Sequence, residues 1–226
     1  MSGLWSTRNS ESKLAEPYTD DEQVENLKSW WKTYGNALVL GIALGVAILF
    51  GNKYWIGYKK ERAESASAIY DQLIIDYQKK AIETVRASGA TLIEDYAATP
   101  YAGLAAMILA RVSFDDGKNE EARRQLRWAV ENATDDGTRH AARLRLARLL
   151  TNDNELESAL ALIEIKDIVG FEADYHELRG DIEAAKGNKA PARNEYKQAL
   201  KYLSASSSYR AVLNMKLDDL GPETVQ

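Results

Sequence analysis

From Thr33 to Asn52 the chain runs twenty residues without a charge, closed by Lys32 on one side and Lys53 on the other. Ala37 to Phe50 is apolar throughout. As a helix, twenty residues at about 1.5 Å each span about 30 Å, the thickness of a bilayer's hydrocarbon core. Trp30, Trp31 and Tyr34 flank one end, and Tyr54, Trp55 and Tyr58 the other. Amphipathic aromatic rings favour both membrane–water interfaces. The pattern predicts one transmembrane helix over residues 36–56. A cleaved leader fits less well, because 32 residues precede the run and they carry four cations against six carboxylates. Signal peptides open with a short basic segment.

The flanks leave orientation open. Lys13, Lys28 and Lys32 lie within twenty residues of the span on one side, and Lys53, Lys59, Lys60 and Arg62 on the other. That difference is too small to decide by the positive-inside rule. Within the span, Ala37, Gly41 and Gly45 recur every four residues, a small-residue stripe that would let a second helix approach closely. Residues 1–18 read as a flexible polar tail without periodicity. Thr19 to Glu22 has capping-box spacing, and Val24, Leu27, Trp31 and Tyr34 follow at helical intervals, predicting an amphipathic juxtamembrane helix over residues 19–35.

Beyond the span the sequence repeats itself. Leu109-Ala110, Gly117, Ala122 and Ala129 are echoed by Leu146-Ala147, Asn154 and Ala159, and again by Gly180, Gly187, Ala192 and Ala199. The intervals from Ala122 to Ala159 and on to Ala192 are 37 and 33 residues. Small residues at matching places on two helices allow close packing, and Gly or Asn suits the left-handed turn between them. A lone hairpin cannot bury its own apolar face, so hairpins stack. The expected fold is all-α: an N-terminal transmembrane helix followed, over residues 59–226, by a tetratricopeptide-like helical-hairpin array. Thr99-Pro100 predicts a helix start capped by the threonine oxygen. Residues 59–98 would form an imperfect first hairpin, and a helix near Tyr209–Leu220 would close the array.

Composition excludes several kinds of chemistry. The chain has no cysteine and a net charge of −5, so thiolate sites are absent and nothing draws it to nucleic acid. His140 and His176 are read as exposed helix residues rather than metal ligands or general bases. Asp115-Asp116-Gly117 and Asp135-Asp136-Gly137 read as turns. No phosphate loop or nucleophile elbow is present, so no catalytic residue, cofactor or metal is expected, and the chain is not read as an enzyme. A stacked array offers instead a concave binding surface. Leu104, Met107, Arg111 and Phe114 from the first hairpin are candidates to line it. Ala141, Leu144 and Arg148 would follow from the second, and Asp174, Glu177 and Asp181 from the third, taking the groove from apolar and basic to acidic. The apolar members would also serve as ordinary core between hairpins.

These features together resemble the YfgM family of bacterial inner-membrane proteins, ancillary subunits of the SecYEG translocon. The resemblance rests on Glu22-Gln-Val-Glu25, Leu40-Gly-Ile-Ala-Leu-Gly45 and Tyr54-Trp55 around the span. It continues through Leu144-Arg-Leu-Ala-Arg148, Leu178-Arg-Gly-Asp181 and Lys186-Gly-Asn-Lys-Ala-Pro-Ala-Arg193. It implies a single-pass protein of the inner membrane with a cytoplasmic N-terminus and a periplasmic repeat domain. It implies association with the translocon and with the membrane-anchored periplasmic chaperone PpiD. It further implies transfer of newly translocated, unfolded secretory proteins to the periplasmic chaperone network, and a link between the cytoplasmic segment and a regulator of the Rcs stress response. A membrane-anchored scaffold for another envelope complex, without client handling, is the alternative. Residues 1–18 are not typical of the family, and no catalytic residue is carried over.

Overall fold

The structure, a computed structural model, describes residues 20–222, with side chains from Val24 onward. The expected tail over residues 1–18 and the Thr19 cap lie outside the described residues. Contacts divide the chain into two compact units, one up to Tyr58 and one from Lys59 on. The helix α1 covers Asp20–Gln78, and no break separates the expected juxtamembrane helix from the span. Up to Tyr58 its large side chains are uncovered: Leu40 is 62% exposed, Ile48 69% and Phe50 70%. An uninterrupted apolar surface of that length suits hydrocarbon rather than water. It is a helix long and apolar enough to cross a membrane. A Cβ built at Gly41 or Gly45 would meet nothing within 4 Å, so the small stripe is open on the described chain.

The second unit is helical hairpins in series. After the last turns of α1 come α2 (Ile82–Asp95), α3 (Pro100–Asp115), α4 (Asn119–Asn132), α5 (Asp136–Asn152) and α6 (Leu156–Ile163). Then follow α7 (Glu172–Ala185), α8 (Lys189–Tyr202) and α9 (Arg210–Asp219). The hairpins α3–α4, α5–α6 and α7–α8 turn in the same way. Gly117, Asn154 and Gly187 take φ of 73°, 62° and 82°, the left-handed region reserved largely for Gly and Asn. Each turn is closed by the same pair of bonds. Gly117 and Lys118 donate to the carbonyls of Phe114 and Ser113, Asn154 and Glu155 to those of Thr151 and Leu150, and Gly187 and Asn188 to those of Ala184 and Glu183. Three turns at repeat spacing thus end their helices by one device.

The small residues act as the repeat pattern requires. Ala122, Ala147, Ala159 and Ala192 are buried, and Ala110 nearly so. At Gly180 an added Cβ would lie 2.5 Å from the Tyr196 ring, so only glycine lets α8 present a tyrosine there. Two local expectations are corrected. Thr99 precedes α3 in an extended conformation with Pro100 next, but its hydroxyl donates to the Tyr96 carbonyl at 2.8 Å instead of capping the helix. Asp135-Asp136-Gly137 is the start of α5 and not a turn, because Asp135 Oδ1 accepts from the Thr138 amide at 2.7 Å and caps it.

Three cores run along the array. Leu73, Val85, Leu92 and Leu109 fill the first, joining the end of α1 to α2 and α3. Leu126, Leu144, Leu146, Ile163, Tyr175 and Leu178 fill the second, from α4 to α7. Ala192, Tyr196, Leu213 and Leu220 seat α9 on α8 in the third.

Candidate functional site

The inward faces of α1, α3 and α5 bound a groove of about 540 Å³ within the second unit. Helical spacing builds it. On α3, Leu104, Met107, Arg111 and Phe114 follow at three- and four-residue steps, while Ala102, Ala105, Leu109 and Val112 on other faces are buried. On α5 the corresponding stripe is Arg145, Arg148 and Asn152, and from α1 Tyr70 and Tyr77 close the wall two turns apart. Phe114 remains 41% exposed, unusual for a phenylalanine with core available on both sides of its helix.

Of the seven groove residues expected on α3 and α5, five are on this wall; Ala141 and Leu144 are not. Leu144 is 3% exposed and belongs to the second core, which also holds Tyr175 and Leu178 of α7. Tyr70, Tyr77, Arg145 and Asn152 were not anticipated. Tyr70 and Tyr77 showed only a helical period in the sequence, and Arg145 and Asn152 share a face with Arg148 that the three- and seven-residue spacing could have revealed.

The electrostatics of the groove are one-sided. Its lining holds Arg111, Arg145 and Arg148 and no carboxylate. Arg111 Nε bonds Asp115 Oδ2 at 2.9 Å, one turn along α3. Arg145 reaches across to α3, where Nη1 lies 2.9 Å from the Met107 sulfur, a weak acceptor. Neither Arg145 nor Arg148 has an ion-pair partner among the described residues, and both are exposed. A second hollow of about 550 Å³, by α5 and the α6–α7 connection, is balanced instead, with Arg139 and Arg143 facing Asp136 and Asp167.

The expected acidic end does not continue the groove. Asp174 is exposed, whereas Glu177 is 3% exposed and Asp181 is engaged. Glu177 accepts from the Tyr209 hydroxyl at 2.7 Å and from Lys216 at 2.6 Å. Asp181 accepts from Lys216 at 2.7 Å and from the Tyr196 hydroxyl at 2.8 Å. Burial, and then the bond to Glu177, push the Tyr209 hydroxyl up to about 12. Helix α9 therefore consumes these acids, which a reading of α7 alone could not show.

The histidines are corrected as well. His140 is buried, with Nδ1 2.9 Å from the Tyr175 hydroxyl and its ring 4.7 Å from that of Phe171. His176 Nδ1 lies 2.7 Å from Glu195 Oε2, and its ring stacks on Tyr202. Both are contacts between helices. Among the described residues, no group of three His, Asp or Glu side chains is placed to share a metal ion. What the groove can do is bind, through apolar area and uncompensated positive charge.

Comparison with known proteins now bears on which array this is. The family model described as a tetratricopeptide repeat-like domain matches residues 28–222, from before the span to beyond α9. The chain belongs to this tetratricopeptide repeat-like family. Proteins named ancillary SecYEG translocon subunit are similar along nearly the whole length. That of Haemophilus influenzae is 28% identical over 207 residues, covering 92% of this chain and 100% of the relative. That of Escherichia coli is 28% identical over 201 residues, covering 89% and 96%, and that of Neisseria gonorrhoeae 26% over 208 residues, covering 92% and 100%. These matches bear out the resemblance to the YfgM family. Because the tetratricopeptide repeat-like match begins at Lys28, it takes in the span as well as the hairpins.

Proposed function

We propose that this protein is an ancillary subunit of the SecYEG translocon, held in the bacterial inner membrane by residues 36–56. Its N-terminus is cytoplasmic and its repeat domain, residues 59–226, is periplasmic. On this reading the repeat domain works by binding and not by catalysis. It helps pass translocated, still unfolded proteins to the periplasmic chaperone network, in company with the membrane-anchored chaperone PpiD. Near-complete coverage of relatives carrying that name supports the translocon association. The observation that carries the binding role is the groove, an apolar wall of Leu104, Met107 and Phe114 left open beside Arg145 and Arg148, which have no ion-pair partner among the described residues.

The mechanism needs only modest contacts. A protein tethered beside a channel meets its ligands at a high effective concentration, on the order of millimolar for short tethers, so weak binding suffices. The stripe of Ala37, Gly41 and Gly45 is the proposed contact within the membrane, where small residues let helices approach without a hydrophobic driving force.

Site-specific photocrosslinking in cells tests this from two positions. A probe at Gly45 should yield products with translocon subunits or the chaperone, and a probe at Met107 a ladder of secretory chains or the chaperone itself. A single discrete product from Met107, with no translocon product from Gly45, would instead identify a scaffold for a different envelope assembly.

A further inference from the structure

We infer that the groove's occupant is an acidic amphipathic helix of a partner protein, its apolar face against Leu104, Met107 and Phe114 and its carboxylates against Arg145 and Arg148. The inference rests on the reading of the groove as a protein-binding site and adds the chemistry of what enters it.

Charge supports the acidic half. The chain carries a net charge of −5, yet no carboxylate is among the residues lining the groove. Arg111 is largely answered by Asp115, which leaves Arg145 and Arg148, one turn apart on α5, as the unsatisfied pair. Cations beside an apolar wall attract a segment carrying carboxylates and turn away a basic one, and they do so more by selection than by raw affinity.

The molecule treats its own helices by the same rule. Arg148 occupies the repeat position that Asp181 holds in α7, as Ala147 and Gly180 show by preceding them. There the charge is reversed, and Asp181 with Glu177 is met by Lys216 from α9. Acids on the inner helix draw a lysine from the helix that follows. At the equivalent place on α5 the residue is basic, and Arg148 has no ion-pair partner among the described residues.

The backbone supports the helical half. The wall consists of helices whose amides and carbonyls are bonded within themselves, so it offers side chains and no free strand edge. An extended peptide laid there would lose water from its backbone with few groups to replace it. A helix brings its backbone already satisfied and presents apolar side chains at three- and four-residue steps, the spacing of the wall itself.

The test uses the full-length protein in lipid nanodiscs and three labelled peptides, followed by fluorescence anisotropy. All share one apolar helical pattern. The first carries glutamates beside it, the second lysines, and the third keeps the glutamates but has prolines that prevent a helix. The glutamate helix should bind, and the Arg145→Glu, Arg148→Glu double variant should bind it about tenfold more weakly. The lysine peptide should bind only the double variant, a gain that a misfolded protein would not give. Equal binding of the lysine peptide to the unaltered protein, or of the proline peptide as tightly as the helical one, overturns the inference. Photocrosslinking from Met107 separates the two readings. Partner products that persist in cells carrying the double variant would sink the acidic-helix assignment and leave the protein-binding groove standing. A Met107 product with a second copy of this chain would replace the partner with self-association.

Discussion

The junctions between successive hairpins are built in two different ways. At the first two, an arginine from the outer helix of one hairpin reaches the turn of the next. Arg86 on α2 bonds Asp116 at 2.7 Å and Glu121 at 2.9 Å. Thirty-seven residues later Arg123 on α4 does the same, bonding Glu155 at 2.7 Å and Asp153, the counterpart of Asp116. At the third junction the arginine position is Leu160 and the turn position is Lys186. The ion pair there runs from Lys186 to Glu157 at 3.6 Å, with the Glu157 side chain 83% exposed, and Arg179 on α7 donates to the Ile163 carbonyl at 3.3 Å.

What holds the third junction is apolar. The helix α6 has only 8 residues, and the connection after it folds Ile165, Ile168 and Phe171 against the second core. Tyr175, fully buried, reaches His140 on α5. A repeat can exchange a directional, partly hydrated ion-pair clamp for buried area, provided the connecting segment is long enough to supply it. The costs differ too. Ion pairs near the surface are individually weak, whereas a buried aromatic carries several kcal/mol.

The largest effect is expected from Tyr175→Ala, which should cost about 4 kcal/mol by opening a cavity at the third junction, read as a fall in the urea midpoint. Tyr175→Phe, which keeps the ring and loses only the hydroxyl, should cost about 1 kcal/mol. At the clamped junction Arg123→Ala should cost about 2 kcal/mol, since its side chain is only 12% exposed and leaves two carboxylates facing one another. A loss for Tyr175→Ala no greater than that for Arg123→Ala would show that the two junctions are held by the same means.

A smaller effect is expected from pH. Burial, then the nearby Arg143, hold the His140 imidazole below its ordinary value. As pH falls below about 6.5, the unfolded chain takes up this proton before the folded one does. Stability from this group is therefore fully present above about pH 6.5 and is lost as pH drops through the folded-state value. His140→Gln should flatten that part of the pH dependence in thermal melts, and an unchanged slope would rule out His140 as its source. The smallest effect is Lys186→Ala, below about 0.5 kcal/mol, as suits a long and exposed pair. A Tm shift comparable to that of Arg123→Ala would mean the third junction carries a clamp after all.

Local chemistry was legible in the chain because it depends on neighbours in sequence. The span could be read from twenty uncharged residues and their aromatic flanks, and the hairpin turns from Gly117, Asn154 and Gly187, since a left-handed backbone selects its own residues. The groove was partly legible, because α3 shows one face by period alone. Leu144 and Arg145 could not be separated in that way, for both lie on a helix with core on more than one side. Only packing against α7 decided that the leucine is covered and the arginine open. The acids of α7 and the two histidines needed partners 15 to 39 residues away. Sequence by itself determined where helices start, stop and turn, through propensities and periods that act within a few residues. The tertiary structure alone decided which charges were answered and which were left free, because that balance is struck between side chains that meet only when the hairpins stack.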